Sequence, residues 1–145
     1  MKLWEWAVAA YQSDHVPGIC LGLQDSHGQC TSYLLWSIWG APGAETLNRG
    51  AEIAREWDQR VLRPLRAARN ALRTSFPPHA DRARRELREE ILSAELLAER
   101  VLMETLEKLA PRQSGDPLES ALAASAAWGS PAPREALQQL TAAVA

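Results

Sequence analysis

The chain has 145 residues, 46% hydrophobic and 23% charged, with a formal net charge of −2. That length suits one domain with a real core. The near-neutral balance argues against a chain committed to nucleic acid over its whole surface. Two cysteines, Cys20 and Cys30, make neither a disulfide framework nor a zinc site, so they read as free thiols of a soluble, cytoplasmic protein. No stretch is apolar for long enough to span a bilayer.

Charge falls in blocks. Residues 1–54 hold five acids and two bases, residues 55–88 ten arginines and four acids, and residues 89–145 nine acids and four bases. A basic middle between acidic ends predicts pairing inside the fold, or a surface for an anionic partner. Six tryptophans stand against one phenylalanine. So many large amphipathic rings call for a core, a groove or an interface.

Apolar residues recur at helical spacing nearly throughout, which predicts an all-α fold. A first helix spans Lys2–Gln12. Asp14 and Pro17 start a second, and Gly28 ends it beyond His27. Thr31 or Ser32 caps a third, Tyr33–Trp39, which is apolar on all sides. A long fourth helix, about Ala44 to Ser75, has a kink expected at Pro64. A fifth, about Ala80 to Leu109, carries Leu87, Ile91, Ala94, Ala98, Val101, Leu102 and Leu109 on its main face, with a second strip of Leu92, Leu96 and Met103. The Pro77–Pro78 turn between helices four and five predicts an antiparallel hairpin. After a linker at 111–115, two alanine-rich helices follow, one opened by Asp116 and ending at Gly129, the other running to about Ala143. The expected architecture is a compact helical bundle: three short N-terminal helices on a long kinked hairpin (1–110), with a looser C-terminal helical pair (111–145).

Four constellations carry chemical interest. Asp25 and His27 place a carboxylate near an imidazole, without a nucleophile or third ligand; the plainer reading is a helix end where the dipole favours a protonated His. Arg66 and Arg69 lie on an arginine face that could hold phosphates, or pair with carboxylates of the fifth helix across the hairpin: Glu95 and Glu99, or, by level along the hairpin, Glu86, Glu89 and Glu90. The Arg55–Arg60 level would then face Glu95 and Glu99. Glu95 and Glu99 share a helix face but lack the Glu-x-x-His pairs of a di-metal site. Trp36, Trp39 and Trp57, with Trp4 and Trp6, fill either a core or a docking face. These residues imply no cofactor, no metal and no catalytic set.

Leu23–Gly28, then Leu34–Trp36 and Trp39, then Trp57, Val61, Pro64–Arg66 and Arg69, then Glu95–Arg100 follow one another in an order that resembles a proteobacterial family known as a domain of unknown function, number twenty-three ninety of its series. The family pattern has an Asn just before the Leu–Leu–Trp run. Here Ser32 and Tyr33 stand there, and no role of that Asn is carried over. The resemblance implies a helical fold and a bacterial setting, and no activity.

The functional expectation is a non-catalytic interaction module that binds a protein partner through the Trp-rich N-terminal face or the open side of the hairpin. The alternative is a ligand-binding or enzymatic protein with a pocket near Asp25, His27, Trp36 and Arg66, taking a small apolar or anionic ligand. RNA or another polyanion on the arginine face is the third option.

Overall fold

The computed structural model describes residues 1–145. It contains eight α-helices and no strand: α1 (Leu3–Tyr11), α2 (Val16–His27), α3 (Thr31–Gly40), α4 (Ala44–Trp57), α5 (Arg63–Ala71), α6 (Asp81–Glu107), α7 (Pro117–Trp128) and α8 (Arg134–Val144). A π-helical turn at Asp58–Leu62 joins α4 to α5.

Helix α3 is the centre. All ten of its residues are buried, as its unbroken apolar surface requires. Two of its hydroxyls find backbone partners inside the core. The Tyr33 hydroxyl donates to the Leu47 carbonyl at 2.8 Å, and the Ser37 hydroxyl to the Leu34 carbonyl at 2.6 Å. Trp36 lies against Gly50 of α4 so closely that a Cβ there would stand 2.4 Å from the indole. Helices α1, α2, α4, α6 and α7 pack around this axis.

The hairpin forms as the sequence predicts, and where a kink at Pro64 is expected the helix carries a π turn just ahead of that residue. Proline has no N–H to donate, and its ring presses on the carbonyl four residues back. The chain meets this with a widened turn, in which the Arg63 N–H donates to the Asp58 carbonyl. α5 then stops at Ala71, short of the expected Ser75. The Arg84 guanidinium takes over the Leu72 carbonyl at 2.6 Å.

Helix α6 sits rotated from its predicted phase. Its buried residues are Glu95, Ala98, Leu102, Met103 and Leu106. Leu87, Ala94 and Val101 from the expected main face, and Leu96 from the second strip, are exposed instead. Apolar periodicity assigned the inward face to aliphatic residues alone. The structure spends one inward position on a carboxylate that partners α5.

The C-terminal pair differs from the looser packing expected of it. Ala121, Ala124, Trp128, Leu137 and Leu140 belong to the same buried cluster as α3. Small alanines let α7 approach α3 and α4 closely, so few large side chains are needed. The linker is also tied down. The Gln113 N–H and Arg112 Nε–H donate to the Gly40 and Trp39 carbonyls, each at 2.9 Å, and close the free end of α3. The Trp128 indole N–H donates to the Gly28 carbonyl at 2.8 Å, and the Gln29 amide to the Ser130 carbonyl at 2.6 Å.

Two outcomes follow from this packing. Leu102→Ala should cost about 2–5 kcal/mol, whereas Val101→Ala should cost far less, because its side chain already meets solvent; urea midpoints of the two variants measure the difference. A chain ending at Ala110 leaves α3 without one wall and should melt well below the full chain or fail to fold. Circular dichroism melts of the two chains test this, and equal midpoints would show that residues 1–110 stand alone.

Candidate functional site

Six of the arginines and acids of the hairpin meet in one place. The π turn swings Asp58 inward until 3% of it is exposed. There it accepts from Arg63 Nε at 2.7 Å and from Arg66 Nη1 at 3.1 Å. Residues five apart lie on different faces of a regular α-helix, so α-helical spacing does not foretell the Asp58–Arg63 pair. Arg69 approaches Glu95 across the hairpin, with Nε 3.4 Å from Oε2. Glu95 is one of the partners expected across the hairpin, whereas Glu86, Glu89 and Glu90, expected from the level along it, remain exposed. The reason is the lean of helical side chains toward their own N-termini. In an antiparallel pair this brings Arg69 and Glu95 together from different levels.

These groups wall a small polar cleft. Tyr11 of α1, Cys20 and Gln24 of α2, Thr31 of α3, Arg66 and Arg69 of α5, and Glu95 and Glu99 of α6 line it, with Pro17 and Leu21 adding apolar surface. Its volume is about 180 Å³. Burial raises the Glu99 carboxyl above its ordinary 4.5; Arg66 and Arg69 oppose that shift, and Glu95 adds to it. Burial also raises the Cys20 thiol, which interacts with the Tyr11 hydroxyl. Although 37% of Tyr11 is exposed, its hydroxyl reaches Cys20 and Thr31, and its acidity is suppressed by burial first and by Cys20 second. Cys30 is pushed up to about 12 by burial. Both cysteines are therefore poor nucleophiles at neutral pH, and both are free thiols. No group of three His, Cys, Asp or Glu side chains is placed to hold a metal ion.

Of the candidate residues, Arg66, Arg69, Glu95 and Glu99 come together in this cleft. The others do not join them. Asp25 points to solvent on α2. His27 borders a shallow groove between α2 and α8. Trp36 is sealed in the core with 1% exposed. The pocket expected around Asp25, His27, Trp36 and Arg66 is thus not formed, because α2 turns Leu23 inward and Asp25 away. Trp39 is also buried; its indole N–H donates to the Met1 carbonyl, and Arg112 stacks on it with 5.3 Å to the ring centroid. The Trp-rich N-terminal face is for the most part the interior. Asp58, Tyr11, Cys20 and Thr31 were not among the candidates, and their signal lies in tertiary placement.

Trp57 belongs to a different surface. Its indole N–H donates to the Ala98 carbonyl at 2.9 Å and fastens the π-turn end of α4 to α6. Beside it runs an apolar groove lined by Ile53, Trp57, Val61, Val101 and Leu102, with Glu56, Arg60 and Thr105 among its polar neighbours. The α6 ridge next to it exposes Leu97 (61%), Leu96 (56%) and Val101 (43%). On the other side of α6, a second groove is lined by Trp4, Ala7, Val8, Tyr11, Leu96 and Met103.

A model of proteins of unknown function, DUF2390, matches residues 2–106. The chain belongs to that family. The match runs from before α1 to the last turn of α6, and so takes in both the charged cleft and the apolar ridge. No curated protein and no solved structure matches the chain. No helix is long and apolar enough to cross a membrane.

The raised Glu99 carboxyl fixes a sign. The folded chain holds that proton more tightly than the unfolded chain, so the contribution is full at low pH and is lost as pH rises through the raised value. Glu99→Gln should therefore stabilise the protein at neutral pH, with a gain that shrinks under mildly acid conditions. Urea midpoints of both proteins across that range measure it.

Proposed function

We propose that this protein is a non-catalytic interaction module that binds an amphipathic helix of another protein along the open side of its hairpin. The observation that carries the reading is the α6 ridge. Leu96, Leu97 and Val101 lie exposed between two apolar grooves, and contiguous apolar surface of this kind on a folded domain marks an interaction site. The groove beside Trp57 follows the line of two antiparallel helices, and a third helix is the shape that packs into such a line. Trp57 offers a large, half-buried anchor held by its own hydrogen bond. The flanking Glu56–Arg60 and Arg100–Glu104 ion pairs present both signs of charge, as an interface rim does.

The arginine face favours polyanions less. That function needs an unpaired cationic stripe, and Arg63, Arg66 and Arg69 are each set against a carboxylate.

Leu97→Asp with Val101→Asp should leave the melting temperature within a few degrees of wild type, since both residues are exposed. A photo-crosslinking residue placed at Leu97 should join the protein, in its native host, to a helical segment of one partner, and the double Asp variant should lose that partner. Retention of the same partner by the double variant would overturn the assignment. So would crosslinking to a second copy alone, which would make the ridge a homodimer contact.

A further inference from the structure

The charged cleft is independent of the apolar ridge, and its bonding is incomplete. Glu95 is 7% exposed, yet its Oε2 has no hydrogen-bond partner. Arg69 stands 3.4 Å away as a charge, but its N–H is not aimed to complete a bond. A buried carboxylate oxygen left this way is costly. Self-pairing of the charges accounts for Asp58, which receives two guanidinium bonds. It does not account for Glu95. The cleft borders Glu95 and Glu99 on one side and Arg66 and Arg69 on another. Arg66 spends one nitrogen on Asp58, and its remaining N–H groups are uncommitted. Thr31, the first residue of α3, borders the same space.

We infer that this cleft is a binding site for a small zwitterion of the α-amino-acid type. Its ammonium group bonds the Glu95 and Glu99 carboxylates where they line the cleft, and its carboxylate bonds Arg66 and Arg69. Each end completes bonding that the chain leaves open, and the two ends together leave the cluster's net charge unchanged. A lone cation satisfies the glutamates but adds an uncompensated charge beside two guanidinium groups. A lone anion does the reverse beside two carboxylates. The volume of about 180 Å³ admits a compact molecule and excludes a nucleotide. Leu21 and Pro17 at the same cleft offer contact to a short aliphatic side chain.

Titration calorimetry and thermal-shift measurements on the full chain test the inference, with the common L-α-amino acids as probes. The tightest of them is then compared with its deaminated acid and its decarboxylated amine. The expected result is saturable binding of the amino acid, with each half-molecule weaker by at least about tenfold, since each leaves one charged wall unmatched. Glu95→Gln should keep the helical signal and lose binding by a similar factor. Absence of saturable binding by any amino acid at millimolar concentration would overturn the inference. So would an amine or acid that binds as tightly as the zwitterion, or a folded Glu95→Gln protein with unchanged affinity. If Glu95→Gln fails to fold, the comparison of zwitterion with half-molecules on the wild-type chain decides alone.

Discussion

Helix α3 has no polar face, and the rest of the molecule answers that constraint. A helix that is apolar all round is stable only when other elements enclose it on every side. Trp36 sets the closest of these contacts. Its ring occupies the place where any side chain at residue 50 would begin, so α4 approaches α3 at Gly50 and there alone has no Cβ to clear. Tyr33 lies beside Trp36 and Trp128, with ring centroids 5.8 Å from each, and so links α3 to α7 in one cluster of tilted aromatic rings. Enclosure also explains the linker. The last residues of α3 are buried, and Arg112 and Gln113 supply donors to the Trp39 and Gly40 carbonyls.

A second constraint is local to the hairpin. Pro64 interrupts a helix that must stay long enough to reach the turn, and the π turn absorbs the interruption without ending it. The extra residue in that turn carries Asp58 inside, and a buried carboxylate demands cations. Arg63 and Arg66 arrive from the next turns. Desolvation offsets much of what such pairs gain, so a buried network of this kind is weak evidence for stability and better evidence for a defined arrangement. It fixes where Arg66 points, and with Arg69, Glu95 and Glu99 it gives the cleft two walls of opposite charge.

The two candidate surfaces share α6 and ask opposite things of it. One side of the helix holds Glu95 and Glu99 toward α5, in a low-dielectric setting where charge is expensive. The adjoining ridge holds Leu96, Leu97 and Val101 toward water, where apolar area is unfavourable. A helix built only for the core would exchange these sets. The family match runs through this inverted stretch and ends at residue 106. Helix α7, beyond it, supplies a wall of the same core.

By itself the sequence determined the helical class, the hairpin, and Gly28 and Asp116 as helix boundaries; it left Tyr33–Trp39 as either a buried centre or a partner-binding face, and the structure buries it. What it determined rests on local chemistry. Gly28 adopts φ 62°, where a side chain is strained, and Asp116 accepts from the Leu118 and Glu119 N–H groups. The grouping of Arg66, Arg69, Glu95 and Glu99 was legible as residue types on facing helices. The Arg69–Glu95 pair was among those expected across the hairpin; the pairs of Asp58 with Arg63 and Arg66 were not, because the π turn sets them and is not visible in spacing. Only the tertiary structure decided which face of α6 is buried. Hydrophobic periodicity counts Leu96, Leu97 and Val101 as core by type, while the inward position goes to Glu95 because Arg69 is there to meet it. Only the tertiary structure, too, decided that an alanine-rich tail closes the core. A small side chain contributes little area of its own, and its value lies in how near it lets another helix come.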